Sequence, residues 1–185
     1  FTPAYWLIAF STMVRLSLNQ GVRVHVIPIF VWKGLSEQGG ANLLGLMAFL
    51  AVPLILTFGW LGDRYNKGPI LVIGHIATVI AMLTIVNFHG IGPLIVFAFF
   101  MALGESTAPV NHSIIGEYFG RKAFATLNGL LQTVGMIGLI TPVFAGWVFD
   151  NTESYSLALL TFAAVAGIAV VVMLFLRKPI KAVDS

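Results

Sequence analysis

The chain has 185 residues, of which 58% are hydrophobic and only 9% charged, with a mean hydropathy of +0.96. A water-soluble domain carries about 25% charged residues to coat its surface, so this composition excludes a soluble globule and calls for the apolar surroundings of a lipid bilayer. The net charge of +3 comes from ten Lys and Arg scattered along the chain, which gather into no nucleic-acid-binding patch, and the lack of cysteine excludes disulfides and thiolate metal sites.

The chain opens on Phe1-Thr2-Pro3, which reads as a linker running into a helix and has none of the features of a cleavable signal peptide; the expectation is a piece of a longer chain. The first apolar run covers about residues 5–32 and carries Ser11, Arg15, Asn19, Gln20 and Arg23. At 100° per residue, Arg15, Asn19 and Arg23 fall within about 80° of one another and form one polar stripe, with Gln20 a little outside it. Charge inside a membrane faces a cavity or a partner. The other option for an arginine is to snorkel to the interface, which suits Arg23 better than Arg15, the one nearer the middle of the run.

The second and third runs, about 40–62 and 69–88, are joined by a short loop holding Asp63, Arg64 and Lys67. His75 in the third run, like His89 just after it, belongs to no metal-like cluster. The fourth run, about 91–115, carries Glu105, followed by Pro109 and His112 on the same face. Counted from the outer side, Glu105 falls at about the depth of Arg15. The two are expected to approach across a cavity, either as a static ion pair, as a switch, or with Glu105 carrying a proton. The fifth run, about 123–148, holds Gly129, Gly135, Gly138, Gly146 and Pro142, small residues that permit close helix approach and a proline that permits a bend. The sixth covers about 154–176. Each run has roughly 20 or more residues, enough to cross about 30 Å of hydrocarbon, and none shows the alternation that a barrel strand needs. The expected fold is therefore an all-α membrane protein of six transmembrane helices.

Basic residues set the expected orientation. Arg64 and Lys67, Arg121 and Lys122, and Arg177, Lys178 and Lys181 share one side, whereas the other has Lys33 with acidic Glu37, Asp150 and Glu153. Positive residues mark the cytoplasmic side. Both ends are thus expected in the cytoplasm, in an integral, multi-pass protein of the plasma (inner) membrane. Two sets of three helices would start on opposite sides, the arrangement of inverted-topology repeats.

The loop Gly59-Trp60-Leu61-Gly62-Asp63-Arg64-Tyr65-Asn66-Lys67 resembles the G-x-L-x-D-R-x-G-[RK] signature of the major facilitator superfamily, at Gly59, Leu61, Asp63, Arg64 and Lys67. Asn66 stands where glycine is usual and Gly68 where a second basic residue is usual; asparagine tolerates a left-handed backbone, so the turn is expected to survive. Gly116-Glu117-Tyr118-Phe119-Gly120-Arg121-Lys122-Ala123-Phe124 and the later Pro142-Val143-Phe144-Ala145-Gly146-Trp147-Val148-Phe149-Asp150 resemble the tenth-to-eleventh helix region of the oxalate/formate antiporter and monocarboxylate transporter branch. Thr2-Pro3-Ala4-Tyr5-Trp6 and Val24-His25-Val26-Ile27-Pro28 resemble its seventh helix. The resemblance implies the carboxyl-terminal six-helix half of a twelve-helix fold, residues 1–185, whose partners are the lipid bilayer, a small solute and a missing amino-terminal six-helix half.

It also implies secondary transport by alternating access, with no cofactor or metal. Arg15, Asn19, Gln20, Arg23, Glu105 and His112 are then candidates for the solute pathway, and Gly59, Asp63, Arg64 and Lys67 for a conformational latch. A carboxylate such as Asp63 at a helix end can accept hydrogen bonds from a neighbouring helix terminus and pair with a basic side chain, a contact that forms in one state and breaks in another. Two arginines favour a small organic anion such as a monocarboxylate. In the oxalate/formate branch the basic residues that hold the substrate lie on the eighth and eleventh helices; the matching runs here, 40–62 and 123–148, contain no Arg or Lys, so oxalate itself is not expected. A phosphate-binding G-x-x-x-x-G-K-[ST] loop, H-E-x-x-H and G-x-S-x-G are all missing from the sequence, so no enzyme is expected. The alternative is a non-transporting receptor, sensor or scaffold on the same fold.

Overall fold

Six helical rods account for nearly all of residues 2–178, the part of the chain described by this computed structural model. They are α1 (Pro3–Trp32), α2 (Glu37–Arg64) and α3 (Lys67–Asn87); a fourth rod made of α4 (Ile91–Glu105) and α5 (Ala108–Phe119); a fifth made of α6 (Arg121–Gly135), a 3-10 turn (Met136–Leu139) and α7 (Ile140–Thr152); and α8 (Ser156–Leu174). The described residues contain no strand. Five rods are long and apolar enough to cross a membrane. The exception, α1, has 30 residues but also Arg15, Asn19, Gln20 and Arg23, whose polarity lowers its hydropathy. Lys181 lies outside the described residues.

The predicted spans agree with the rods to within a few residues, but two rods are interrupted where the sequence reading drew single helices. In the fourth, Pro109 has no N–H to give to the Glu105 carbonyl and its ring crowds that carbonyl. The ladder stops at Glu105, and the hydroxyls of Ser106 and Thr107 donate to the carbonyls of Ala102 (2.6 Å) and Gly104 (2.8 Å). In the fifth, Pro142 likewise cannot serve the Gly138 carbonyl, and the Thr141 hydroxyl lies 2.6 Å from that oxygen. Lipid offers no water to satisfy carbonyls at such breaks, and here the Thr107 and Thr141 hydroxyls serve those of Gly104 and Gly138.

Two apolar cores hold the rods together. One joins Val26, Phe30, Met82, Ile85, Phe97 and Phe162; the other joins Tyr5, Ile8, Phe58, Ile70, Ile114 and Met173 at the opposite end. Between them runs a buried polar waist of Ser11, Thr12, His75, Ser106, Thr107 and Asn111. The central helix is α1, which touches every other rod, α3 through the Ser11–His75 hydrogen bond, and meets the fifth tightly at its 3-10 turn. A Cβ on Gly138 would lie 2.5 Å from Ser17 Oγ and 2.6 Å from Ser17 Cα, and one on Gly135 would run into the Leu16 side chain.

That backbone-to-backbone approach makes a specific demand on Gly138. Gly138→Ala is expected to destabilise the protein by about 1–3 kcal/mol through overpacking, read as a lower melting temperature in detergent. Gly167→Ala on α8, where an added Cβ meets nothing within 4 Å, is expected to be neutral or slightly stabilising. Equal melting temperatures for the two variants would refute the tight crossing.

Candidate functional site

Where α1, α2 and α4 diverge they enclose a cavity of about 360 Å³ lined by Asn19, Arg23, Val26, Met47, Val52 and Glu105 among others, within the about 300–1,000 Å³ typical of small-molecule sites. Its wall is apolar except for those three polar groups, all contributed by α1 and α4. Behind it, between α1, α3 and α4, a void of about 10 Å³ is lined by Arg15, Asn19, His75, Thr78 and Glu105, and a second of the same size by Ser11, Arg15, His75, Thr78 and Thr107. Arg15 thus lies behind the main cavity and Arg23 on its wall, with Glu105 reaching both.

The expected Arg15–Glu105 ion pair is not the one formed. Arg23 Nη1 lies 3.7 Å from Glu105 Oε1, with the two side chains 70% and 38% exposed. Arg15 and Arg23 are eight residues apart, about 12 Å along the helix, and Glu105 sits between them at the level of Asn19, with which it lines both spaces. Arg15 Nε is buried and lacks a hydrogen-bond partner among the described residues. Next to it, Ser11 Oγ and His75 Nε2 are 2.7 Å apart, and Asn111 donates to Thr12 Oγ1 (2.9 Å), which in turn donates to the Ile8 carbonyl (2.8 Å). In a low-dielectric interior such polar groups persist only when partnered.

Two of the predicted pathway residues lie elsewhere. Gln20 is exposed and lines none of these spaces. His112 turns to the fifth rod, its Nδ1 3.0 Å from Asn128 Oδ1. His75, set aside in the sequence because it suggested no metal site, belongs to the arginine pocket; the signal available was a lone buried-type histidine one helix away from an intramembrane arginine. His25 is another residue the sequence did not single out. Its Nε2 donates to the Pro142 carbonyl (3.0 Å), since a carbonyl only accepts, and in the neutral ring Nδ1 accepts from the Tyr155 hydroxyl (3.1 Å). It ties α1 to the bend of the fifth rod.

At the opposite end of the bundle the signature loop is arranged differently from expectation. Asp63 and Arg64 end α2 exposed; Arg64 lies 4.5 Å from the centre of the Trp60 ring, and Asp63 has no ion pair or hydrogen-bonded partner among the described residues. Gly59 is half-buried, one turn before. Asn66 is not left-handed: its φ is −61°, and its side chain accepts from the Gly68 N–H (3.1 Å) as the N-cap of α3. The turn survives as a cap rather than as a glycine-like bend. Lys67 is buried and donates to Glu117 Oε2 (2.7 Å), while Lys178, beyond α8, donates to Glu117 Oε1 (2.8 Å). That bond holds Lys178 above the ordinary lysine pKa. Glu117 therefore ties the start of α3, the end of α5 and the segment after α8 into one charged clasp.

Comparison with known proteins agrees with this architecture. Residues 4–185 match the family described as the Major Facilitator Superfamily. A probable sulfoacetate transporter of Cupriavidus necator is 28% identical over 169 residues, covering 82% of this chain and 39% of that protein. Monocarboxylate transporter 12 of Xenopus laevis is 25% identical over 146 residues, 74% of this chain and 31% of the relative; its counterpart in Rattus norvegicus is 24% identical over 147 residues, 74% and 29%. The chain thus spans less than half the length of each of these relatives.

The two arms of the clasp differ in burial, and their strengths should differ accordingly. Double-mutant cycles on stability are expected to give a coupling of about 1.5–3 kcal/mol for Lys67–Glu117, a charged hydrogen bond on a buried lysine, and a clearly smaller one for Lys178–Glu117, whose solvent-exposed lysine is screened by water. Equal couplings would show that burial of Lys67 does not set the strength of the clasp.

Proposed function

The chain belongs to the Major Facilitator Superfamily, and we propose that it forms the carboxyl-terminal six-helix half of a twelve-helix secondary transporter for a small organic anion. The observation that carries this reading is the cavity between α1, α2 and α4, an apolar pocket whose polar groups are Asn19, Arg23 and Glu105, with Arg15 directly behind. An apolar wall lowers the local dielectric and strengthens the attraction of a guanidinium for a carboxylate or sulfonate. The relatives named as sulfoacetate and monocarboxylate transporters support a solute of this class.

The proposed half needs a partner, and the surface supports one. The rods α2 and Arg121–Thr152 are the least buried of the membrane-crossing helices and present Phe49, Val52, Leu56 and Trp60, and Ile137, Ile140, Val143 and Trp147, outward. We place the missing half against these two faces, which closes the cavity from the α2 side and puts the solute near the midplane. The six rods would themselves be two inverted sets of three, α1–α3 and the remaining rods. The Glu117 clasp and the basic residues around it mark the cytoplasmic end, and Asp63 and Arg64, exposed beside the clasp, are left to meet the other half as a state-dependent latch.

Proteoliposomes containing the full-length protein test this. Saturable uptake of lactate or sulfoacetate is expected, and Arg23→Gln is expected to lower it about tenfold or more, the loss of one charged hydrogen bond of about 1.5–3 kcal/mol. Anion binding without any uptake would instead identify a receptor on the same fold. If Glu105 also carries a proton, uptake by Glu105→Gln loses its dependence on pH; an unchanged pH profile would remove the proton from the mechanism.

A further inference from the structure

Resting on the anion-transport reading above, we infer that Glu105 is an internal competitor for the solute and sets how many negative charges the site accepts. Three observations carry this. Glu105 faces Arg23 across the main cavity at 3.7 Å, longer than a hydrogen bond and with both groups open to the cavity. It shares the smaller space behind with Arg15, whose buried Nε has no acceptor among the described residues. And among the residues lining these two spaces, two guanidiniums and one carboxylate are the only charged groups, so this half leaves one positive charge uncompensated.

The consequence is an exchange of partners. A solute carboxylate entering the cavity takes Arg23, the arginine on its wall, and Glu105 turns from Arg23 towards Arg15, giving the orphaned guanidinium the acceptor it lacks. Asn19, one turn from each arginine and on the same stripe, lines both spaces and offers a hydrogen bond midway. No covalent bond changes; a carboxylate is handed from one cation to another. His75, held at 2.7 Å by Ser11, is the remaining titratable group lining the arginine pocket and is occupied by that contact. In this arrangement the half matches one negative charge. Without the Glu105 charge it would match two.

Purified full-length protein titrated calorimetrically at pH 7.5 with acetate, a monoanion, and malonate, the same acid bearing a second carboxylate and so a dianion, tests the assignment. Glu105→Gln is expected to shift the ratio of the two affinities towards malonate by about tenfold or more, whereas Glu105→Asp keeps the wild-type ratio. Arg15→Gln, outside the main cavity wall, is expected to weaken acetate binding, because the displaced Glu105 then has nowhere else to go. If Glu105→Gln does not fold, Arg23→Gln supplies the opposite readout, a shift of the ratio towards acetate. A ratio unmoved by Glu105→Gln, with binding intact, overturns the role of Glu105 alone. Wild-type protein that binds neither anion overturns the anion-transport reading and this one with it.

Discussion

Placing a guanidinium within an apolar span costs about 2.5–3.5 kcal/mol even after the side chain has relaxed, and α1 carries two of them. Much of the middle of this bundle follows from accommodating that charge. Ser11, Thr12, His75, Thr107 and Asn111 are buried at a level where an ordinary bundle would place Leu and Val, and they separate the hydrophobic packing into two cores. Each of these polar side chains is hydrogen-bonded to a neighbour in the waist or to a helix carbonyl; Arg15 Nε is the one buried side-chain polar atom left over among the described residues. An unsatisfied donor costs about 1–3 kcal/mol, and the carboxylate that lines the same small space, Glu105, is engaged with Arg23 instead. The geometry favours any event that brings Glu105 nearer.

The two proline breaks belong to the same level. Pro109 ends α4 at Glu105, so the carboxylate projects from a helix end instead of a helix flank, and the Thr107 hydroxyl takes the Gly104 carbonyl at that end. Pro142 stands three residues past the 3-10 turn, which with Gly135 just before it lies against α1, and His25 holds the proline's own carbonyl. A helix with its i→i−4 ladder already interrupted bends at lower cost than an intact one. Both breaks therefore sit where rods four and five meet the charged helix, and both are supported by side chains of the waist or of α1.

Much of the fold was legible because composition and run length are local properties. Twenty apolar residues between basic loops give a span whatever surrounds them, and the stripe of Arg15, Asn19 and Arg23 follows from helical pitch alone. What local pattern does not carry is the axial register of one helix against another. The stripe is about 12 Å long, and nothing within α1 or α4 says which end of it Glu105 meets; the structure puts it between the two arginines, paired with Arg23. The same limit applies at the signature loop. Its own residues suggested Asp63 as the anchor, whereas Lys67 is held by Glu117, fifty positions away, and Glu117 by Lys178, which no pattern within the loop could report. Asn66 shows a third kind of limit, since one residue type serves both as a left-handed turn and as a helix cap, and only the backbone angle decides between them.

The contrast between the two carboxylates bears on how such a half could move. Glu117 accepts two short hydrogen bonds, one from a buried lysine, and joins segments that would have to travel together. Glu105 makes a single long contact to a mostly exposed arginine, the class of ion pair worth no more than about 1 kcal/mol. A conformational cycle driven by a solute of modest affinity must break its weak contacts and keep its strong ones, because a ligand shifts an equilibrium only by its differential affinity for the two states. On the transport reading proposed above, the clasp of α3, α5 and the segment after α8 would then move as one body, and rearrangement would fall on the Arg23–Glu105 contact and the proline breaks beside it. The residues that would sense the solute are then also the ones whose partnership is easiest to change.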